Sequence, residues 1–429
     1  MSRIHSNSLN LPGRLLLAFG ATVLALLALA PAAGASLGFK AFDVTYANED
    51  GSPATQAGSH PFSMTTRVEF AEEEGSLGKI SPVDEAKDLI VRLPPGFAAI
   101  PSAVPTCPTA DFVSRNPLTY LPRCPDSTAI GVAKAAVIAP GIGTIDQPVF
   151  NLPTPPGAAN KFGFWASNIV PVTIEGAVSQ RPPYNVIAKV TNIAQQVKVY
   201  GSLLTLWGNP SSPAHDGQRG ICAVEGGTCP TNSPEIPFLT LPTSCTGPLR
   251  TTYEADSWKE PGSYLSNDEP NLLDPRWSTG FSDTHDNGEP PSPLGTTGCG
   301  KLPFHPTITA KPTTLAASSP TGLDFSLDVN DEGFANPAGL ANSDIEKTVV
   351  TLPEGFSTNP SLAEGLNVCS EADLAREAPN SAPGQGCPDE SKIGTVEVET
   401  PELQKRSCTA PSTSPSPTKT RREASSPST

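Results

Sequence analysis

The sequence predicts a mainly β protein: antiparallel, sandwich-like modules with long loops tied by disulfides, and a disordered C-terminal tail. Three observations carry that expectation. The 429 residues include 49 Pro and 36 Gly, about a fifth of the chain where roughly 12% is usual. Pro at that density breaks helices yet fits turns and strand edges. Apolar and polar residues alternate at period two, as in Phe62, Met64, Thr66, Val68 and Phe70, which sets one strand face on a core and the other in water. Finally, nine cysteines all lie downstream of an N-terminal apolar run.

That run comes first in the chain. Arg3 and Arg14 precede the uncharged stretch from Leu15 to Ala30, and Ala33-Gly34-Ala35 supplies a small-x-small cleavage pattern. Residues 1–35 therefore read as a signal peptide cut before Ser36. The stretch is shorter than the ~20 apolar residues that span a bilayer, and no second one follows. The expectation is a secreted or cell-surface protein with no transmembrane segment after cleavage.

Residues 36–138 read as a first β unit. Its strands are marked by Phe42, Val44 and Tyr46; by Phe62 to Phe70; by Leu89 to Leu93, stopped by Pro94; and by Ser127 to Val137. Residues 139–303 read as a second β-rich region. Phe162 and Phe164, then Val170, Val172 and Ile174, then Val186, Ala188 and Val190, then Leu204 and Leu206 mark four strands, and Leu249, Thr251, Tyr253 and Ala255 a fifth. Strands about ten residues apart with turn residues between them suggest an antiparallel sandwich. The stretches 208–246 and 259–303 read as long polar loops, a length that calls for function or for tethering.

Residues 304–401 read as a partial second copy of the first unit. Leu93-Pro94-Pro95-Gly96-Phe97 returns as Leu352-Pro353-Glu354-Gly355-Phe356, Cys107 as Cys369, Ala110-Asp111-Phe112 as Ala372-Asp373-Leu374, Cys124-Pro125-Asp126 as Cys387-Pro388-Asp389, and Ile130-Gly131 as Ile393-Gly394. The order is kept and the period is too long for a solenoid. Strands are expected again at Leu323 to Val329, Thr348 to Leu352 and Ser391 to Val398. Residues 402–429 are mostly Ser, Thr, Pro, Ala, Lys and Arg, expected as a disordered or frame-shifted tail.

Export places the cysteines where disulfides persist. Neighbour pairing gives Cys107–Cys124, Cys222–Cys229, Cys245–Cys299 and Cys369–Cys387, with Cys408 left over; spacing alone does not prove connectivity. The first and last pairs have the stronger warrant, because both recur in the two copies with the same neighbours. No Cys-x-x-Cys or Cys/His cluster has zinc spacing.

Charge excludes one class of partner. The whole chain carries a formal −15, and without the two Arg of the signal and the +3 of the tail the body carries −20. Such a surface repels phosphate backbones, so nucleic acid is not an expected partner.

Candidate chemistry is thin. There is no Gly-x-Ser-x-Gly elbow. His215-Asp216 and His285-Asp286 lie in the expected loops and read as solvated turns, and His60 has Ser319 as its counterpart in the second copy. Asp111, Asp126, Asp373 and Asp389 recur, but next to the repeated cysteines, where turn or cap duty explains them. No catalytic residue is assigned. No cofactor is expected beyond a structural calcium at Asp283–Glu289 or Asp328–Gly333, where oxygen donors gather but the twelfth positions, Leu294 and Gly339, break the EF-hand pattern. Trp258, Tyr264 and Trp277 are candidates for stacking on sugar rings.

Several stretches resemble an uncharacterised family of large exported proteins of high-GC actinobacteria, built from repeats of such a β-rich module. They are residues 51–61 (Gly51 to Pro61), Leu93 to Phe97, Leu203 to Gly208, Pro242 to Leu249 and Ala255 to Trp258. The resemblance implies export and modular repetition, and no activity or site. The sequence as a whole points to a non-catalytic envelope or extracellular protein with a structural or adhesive role, with cell-wall glycan or other envelope proteins as partners. The alternative is a secreted glycan-binding or glycan-cleaving protein.

Overall fold

The structure, a computed structural model, describes residues 37–396 except 138, 141–144, 156, 180, 330–331, 357–366 and 377–384. The expected signal peptide and the expected tail lie outside the described residues.

Eleven strands form one antiparallel sheet. They are β1 (Phe39–Ala47), β2 (Ser63–Phe70), β5 (Ala86–Arg92), β7 (Ala129–Ala136), β8 (Gln147–Leu152), β9 (Asn160–Ala166), β10 (Val170–Val178), β11 (Val186–Val190), β12 (Gly201–Trp207), β14 (Arg250–Ser257) and β15 (Ser278–Asp283). Small two-stranded pairings supply the rest: β3 (Glu72–Glu74) with β4 (Ile80–Pro82), β6 (Ala98–Ala99) with β13 (Leu239–Thr240), and β16 (Thr307–Pro312) with β17 (Leu323–Asp328). The large sheet runs β1-β2-β12-β7-β8-β9-β10-β11-β5-β14-β15. Mainly antiparallel β structure is therefore what the period-two pattern produces.

The expected boundary at 138/139 does not divide this sheet. β12 lies between β2 and β7, and β5 lies between β11 and β14, so strands from both stretches alternate. The reason is ladder chemistry: β2, β5 and β7 each need two hydrogen-bonding neighbours, and the later strands supply most of them.

The sheet curls until its edge strands face each other. Tyr253 of β14 packs on Phe39 and Phe42 of β1 at ring-centroid distances of 4.1 and 4.6 Å. The Val44 amide donates to Ser282 Oγ (3.0 Å), and the Ser282 hydroxyl donates to Asp43 Oδ1 (2.9 Å). β1 and β15 share no ladder. The result is a barrel closed along one seam by side chains.

Two segments plug one end. Phe97 to Val104 and Ile236 to Leu241 meet through the β6–β13 pairing, and the Ile100 amide donates to the Phe238 carbonyl (2.9 Å). Phe238 meets Phe162 edge-on at 5.6 Å, and Phe97 meets Tyr46 at 5.5 Å. From the wall, Asn151 Nδ2 donates to the carbonyls of Pro101 (3.0 Å) and Val104 (2.8 Å). At the opposite end, residues 191–200 form a strap from β11 across to β12. The Ile193 amide donates to the Lys87 carbonyl (2.8 Å), the Tyr200 amide to the Ala136 carbonyl (2.8 Å), and Lys198 Nζ to Ser81 Oγ (3.2 Å).

Four disulfides join Cys107–Cys124, Cys222–Cys229, Cys245–Cys299 and Cys369–Cys387, with Cα separations of 5.2, 6.0, 6.1 and 4.9 Å. These are the pairs that neighbour pairing gives. The first staples a loop and the short helix Thr109–Val113 over the outer face of β8, where Phe112, Phe150, Leu152 and Trp207 form a second core. β8 is consequently buried along its whole length.

Four expectations of secondary structure are corrected. The expected polar loops hold more than loop: residues 259–303 contain β15, and residues 208–246 contain β13 and the helix Cys222–Glu225. The stretches Thr348 to Leu352 and Ser391 to Val398 form no strand over their described residues, and 397–398 lie outside them. The matching stretches Leu89 to Leu93 and Ser127 to Val137 sit between two partner strands each; among the described residues none flanks these. The hairpin β16–β17 does form, with the register Ile308↔Leu327 and Ala310↔Phe325 matching Phe42↔Val68 and Val44↔Thr66 of β1–β2.

Candidate functional site

The inward faces of the barrel strands enclose a cavity of about 160 Å³. Its walls follow from alternation. Met64, Thr66, Val68 and Phe70 come from β2, and Phe162, Phe164 and Ala166 from β9; β11 adds Val186, Ala188 and Val190. It reaches from Phe97 and Phe238 at the plugged end to Val137, Ile193 and Val199 at the strap. Among the described residues no charged side chain lines it; its polar side chains are Thr66, Asn160 and Ser202.

Eleven strands explain the space. An eight-stranded barrel is just filled by its own side chains, and width grows with strand number. Here the plug fills one end only. Protein interiors are otherwise close-packed, and at ~24 cal/mol per Å³ a void this size costs about 4 kcal/mol if nothing fills it. The inward residues Val172, Val186, Ala188, Val190 and Leu204 are only half-buried, because they face this space.

Two amides on the inner faces lack partners. Asn160 is 6% exposed and its Oδ1 accepts no hydrogen bond from the protein. Gly176, paired with it across β9 and β10, makes room for the carboxamide: a Cβ at 176 would overlap Asn160 Oδ1. Gln147 pairs with the inward Ala133, is fully buried, and neither Nε2 nor Oε1 has a protein partner. Gln147 does not border the cavity. Neither residue was singled out by sequence. The available signal is a polar residue at an inward register position, two before Phe162 in one case and two before Val149 in the other.

The sequence candidates lie elsewhere. His215 stacks on Trp207 at 4.6 Å and 11° and touches Phe62 at 4.5 Å. Burial, then the Arg219 charge, push its imidazole down to about 4. Asp216 pairs with Arg219, whose guanidinium also donates to the carbonyls of Pro210 and Ser212 (both 2.8 Å). This is a loop core, where a solvated turn was expected. His285 lies on the seam, 3.2 Å from Asp43 Oδ1, and is raised above the usual histidine range by the Asp286 carbonyl and then by Asp43. His60 ties the Leu239 and Gly333 carbonyls together (3.2 and 3.0 Å).

Of the recurring aspartates, Asp373 serves a cap, whereas Asp126 makes a long-range contact. Asp126 Oδ1 accepts from the Ile221 amide (3.1 Å), and Asp373 forms a capping box with Ser370. In the first calcium candidate, Asp283 is bound by Arg250 (2.7 Å, twice), and Asp286 Oδ1 accepts from the amides of Gly288 (3.0 Å) and Ser292 (2.8 Å). Asn330 and Asp331 of the second candidate lie outside the described residues. Among the described residues no group of three or more His, Cys, Asp or Glu side chains is gathered as a metal site.

Trp277 and Tyr264 pack edge-on at 5.2 Å, and Trp277 is buried with its indole N–H donating to the Ser263 carbonyl (2.9 Å). Both fasten the 258–277 loop to the sheet's outer face. Beneath it Arg92 donates to Glu254 Oε1 (2.7 Å) and Ser179 Oγ (3.1 Å), and Tyr264 donates to Asp88 Oδ2 (2.9 Å). Burial raises Glu254, more than Arg92 lowers it, and burial also raises Asp256. Trp258 differs: it borders an open polar cleft with Glu73, Asp84, Glu85 and Lys198, while its indole N–H donates to the Ile193 carbonyl of the strap (2.8 Å).

No protein-family model, curated protein or solved structure matches this chain.

Proposed function

We propose that this chain is a non-catalytic binding protein of the extracellular or envelope space, and that its barrel shelters a small apolar molecule. One observation carries the reading: a space of about 160 Å³, walled by apolar side chains and comparable to an engineered cavity of 150 Å³ that stays dry and binds benzene. Ligand pockets are typically concave and apolar, with few polar groups. Four disulfides suit an oxidising compartment, and the N-terminal apolar run supplies the route out. The resemblance to the actinobacterial repeat family, and the recurrence of its sequence words, fit the same setting.

Titrating the full chain with hexane by calorimetry tests this. Saturable one-to-one binding is expected. Ala188→Phe, which places a ring in the chamber, abolishes it while the unfolding midpoint holds or rises. Hexane binding that survives A188F unchanged counts against the reading.

A second reading has its own observation. Trp258 beside Asp84 and Glu85 in an open cleft offers an aromatic face and carboxylates to a sugar. Binding of cell-wall glycan that is lost in Trp258→Ala supports a glycan contact there; equal binding by wild type and variant removes it.

A further inference from the structure

The apolar-ligand reading, on which this inference rests, leaves the chemistry of the guest open. The chamber wall holds one group that discriminates. Asn160 borders the chamber near its plugged end, is 94% buried, and presents a carboxamide oxygen that no protein donor reaches. The glycine opposite, Gly176, is what allows the amide its place, since any side chain there would collide with it. Every other lining group on that side is apolar: Phe162, Ile174, Phe97 and Phe238. A buried acceptor without a donor is costly, and the cost is relieved by whatever guest brings one.

We infer that the barrel takes a neutral apolar molecule carrying a hydroxyl group, seated hydroxyl-first against Asn160. A hydroxyl donates once and accepts up to twice, so it matches both ends of a carboxamide. An alkane of the same length leaves Oδ1 unmet. An ionised carboxylate is acceptor-only; it meets another acceptor at Oδ1, and no Lys, Arg or His side chain lines the chamber to pair with its charge. The order of affinity is therefore alcohol, alkane, carboxylate.

The test compares 1-hexanol, hexane and hexanoate on the full disulfide-bonded chain at pH 7.5 by calorimetry, with Asn160→Leu and Gly176→Ala beside the wild type. 1-Hexanol is expected to bind wild type at least tenfold tighter than hexane, and hexanoate to bind weakest. N160L equalises alcohol and alkane; G176A, by displacing the amide, also erodes the alcohol's advantage. Equal affinity of hexanol and hexane for wild type overturns the Asn160 assignment and leaves the apolar chamber standing. Tightest binding by hexanoate overturns the neutrality of the guest. No binding of any of the three overturns the chamber reading itself. Should either variant fail to fold, the order of the three probes on wild type still decides.

Discussion

The same sequence words are folded to different depths in two parts of this molecule. Ile130 is fully buried at the start of β7, whereas its counterpart Ile393 is 92% exposed; Leu93 is 6% exposed and Leu352 44%. Local features survive in both. Thr128 Oγ1 donates to the Pro125 carbonyl (2.7 Å) after one disulfide, and Ser391 Oγ donates to the Pro388 carbonyl (2.7 Å) after the other. A Cys-Pro-Asp turn is thus written in a few neighbouring residues. A buried strand is not: it depends on ladder partners, which among the described residues β8, β11, β12 and β14 provide only for the first of the two stretches.

The largest expected effect separates the two regions directly. Ile130→Ala should cost about 2–5 kcal/mol, as truncation of a packed core residue does, and Ile393→Ala less than ~0.5 kcal/mol, as surface changes do. Urea unfolding followed by tryptophan fluorescence measures both, and equal costs would erase the contrast. Next come the cross-links. Replacing Cys107 and Cys124 by Ser should destabilise the barrel by about 2–4 kcal/mol, because that loop covers β8. The same change at Cys369 and Cys387 should leave the barrel's midpoint where it was.

Acid should weaken the barrel through His215. Its folded value of about 4 lies below the ordinary 6.5, so the unfolded chain binds the proton more readily. Stability is complete above pH ~6.5, declines as pH falls, and has lost up to about 3 kcal/mol below pH ~4. His215→Phe, which keeps the stack on Trp207, should flatten that decline; an unchanged pH profile would show that another group carries it. The smallest effect has the opposite sign. His285 is raised, so its contribution is present below pH ~6.5 and fades as pH rises through its folded value. His285→Gln should remove that slight alkaline loss, visible as a flatter thermal midpoint between pH 6.5 and 8.

Much of the sheet was legible because alternation is a local property. β1, β2, β9 to β12 and β14 show it, whereas β5 and β7 read as apolar runs, β5 stopped by Pro94. β8 does not alternate either, because Gln147 to Leu152 is covered on both faces and has no reason to. β15 was hidden by its small residues: Gly280 lies under the Tyr253 ring, where a Cβ would stand 2.6 Å from Cε1, so the apolar payload of that edge belongs to β14. The chamber was not legible at all. Alternation says which side chains share a face, but a hollow interior follows from eleven strands joining one ring, and that is decided by long-range choices such as β12 entering between β2 and β7. Asn160 reads as an ordinary polar strand residue until its register with Phe162 and Gly176 is known. The bridges were legible for a different reason: each pair is the nearest available in sequence.

Xenon offers the most direct view of the chamber, because a dry apolar void of this size admits it without needing any hydrogen bond. The ¹²⁹Xe NMR shift of the full chain should change saturably with protein concentration, and A188F should abolish the change. A xenon signal indifferent to the folded protein, or one identical in wild type and A188F, would contradict a hollow apolar barrel.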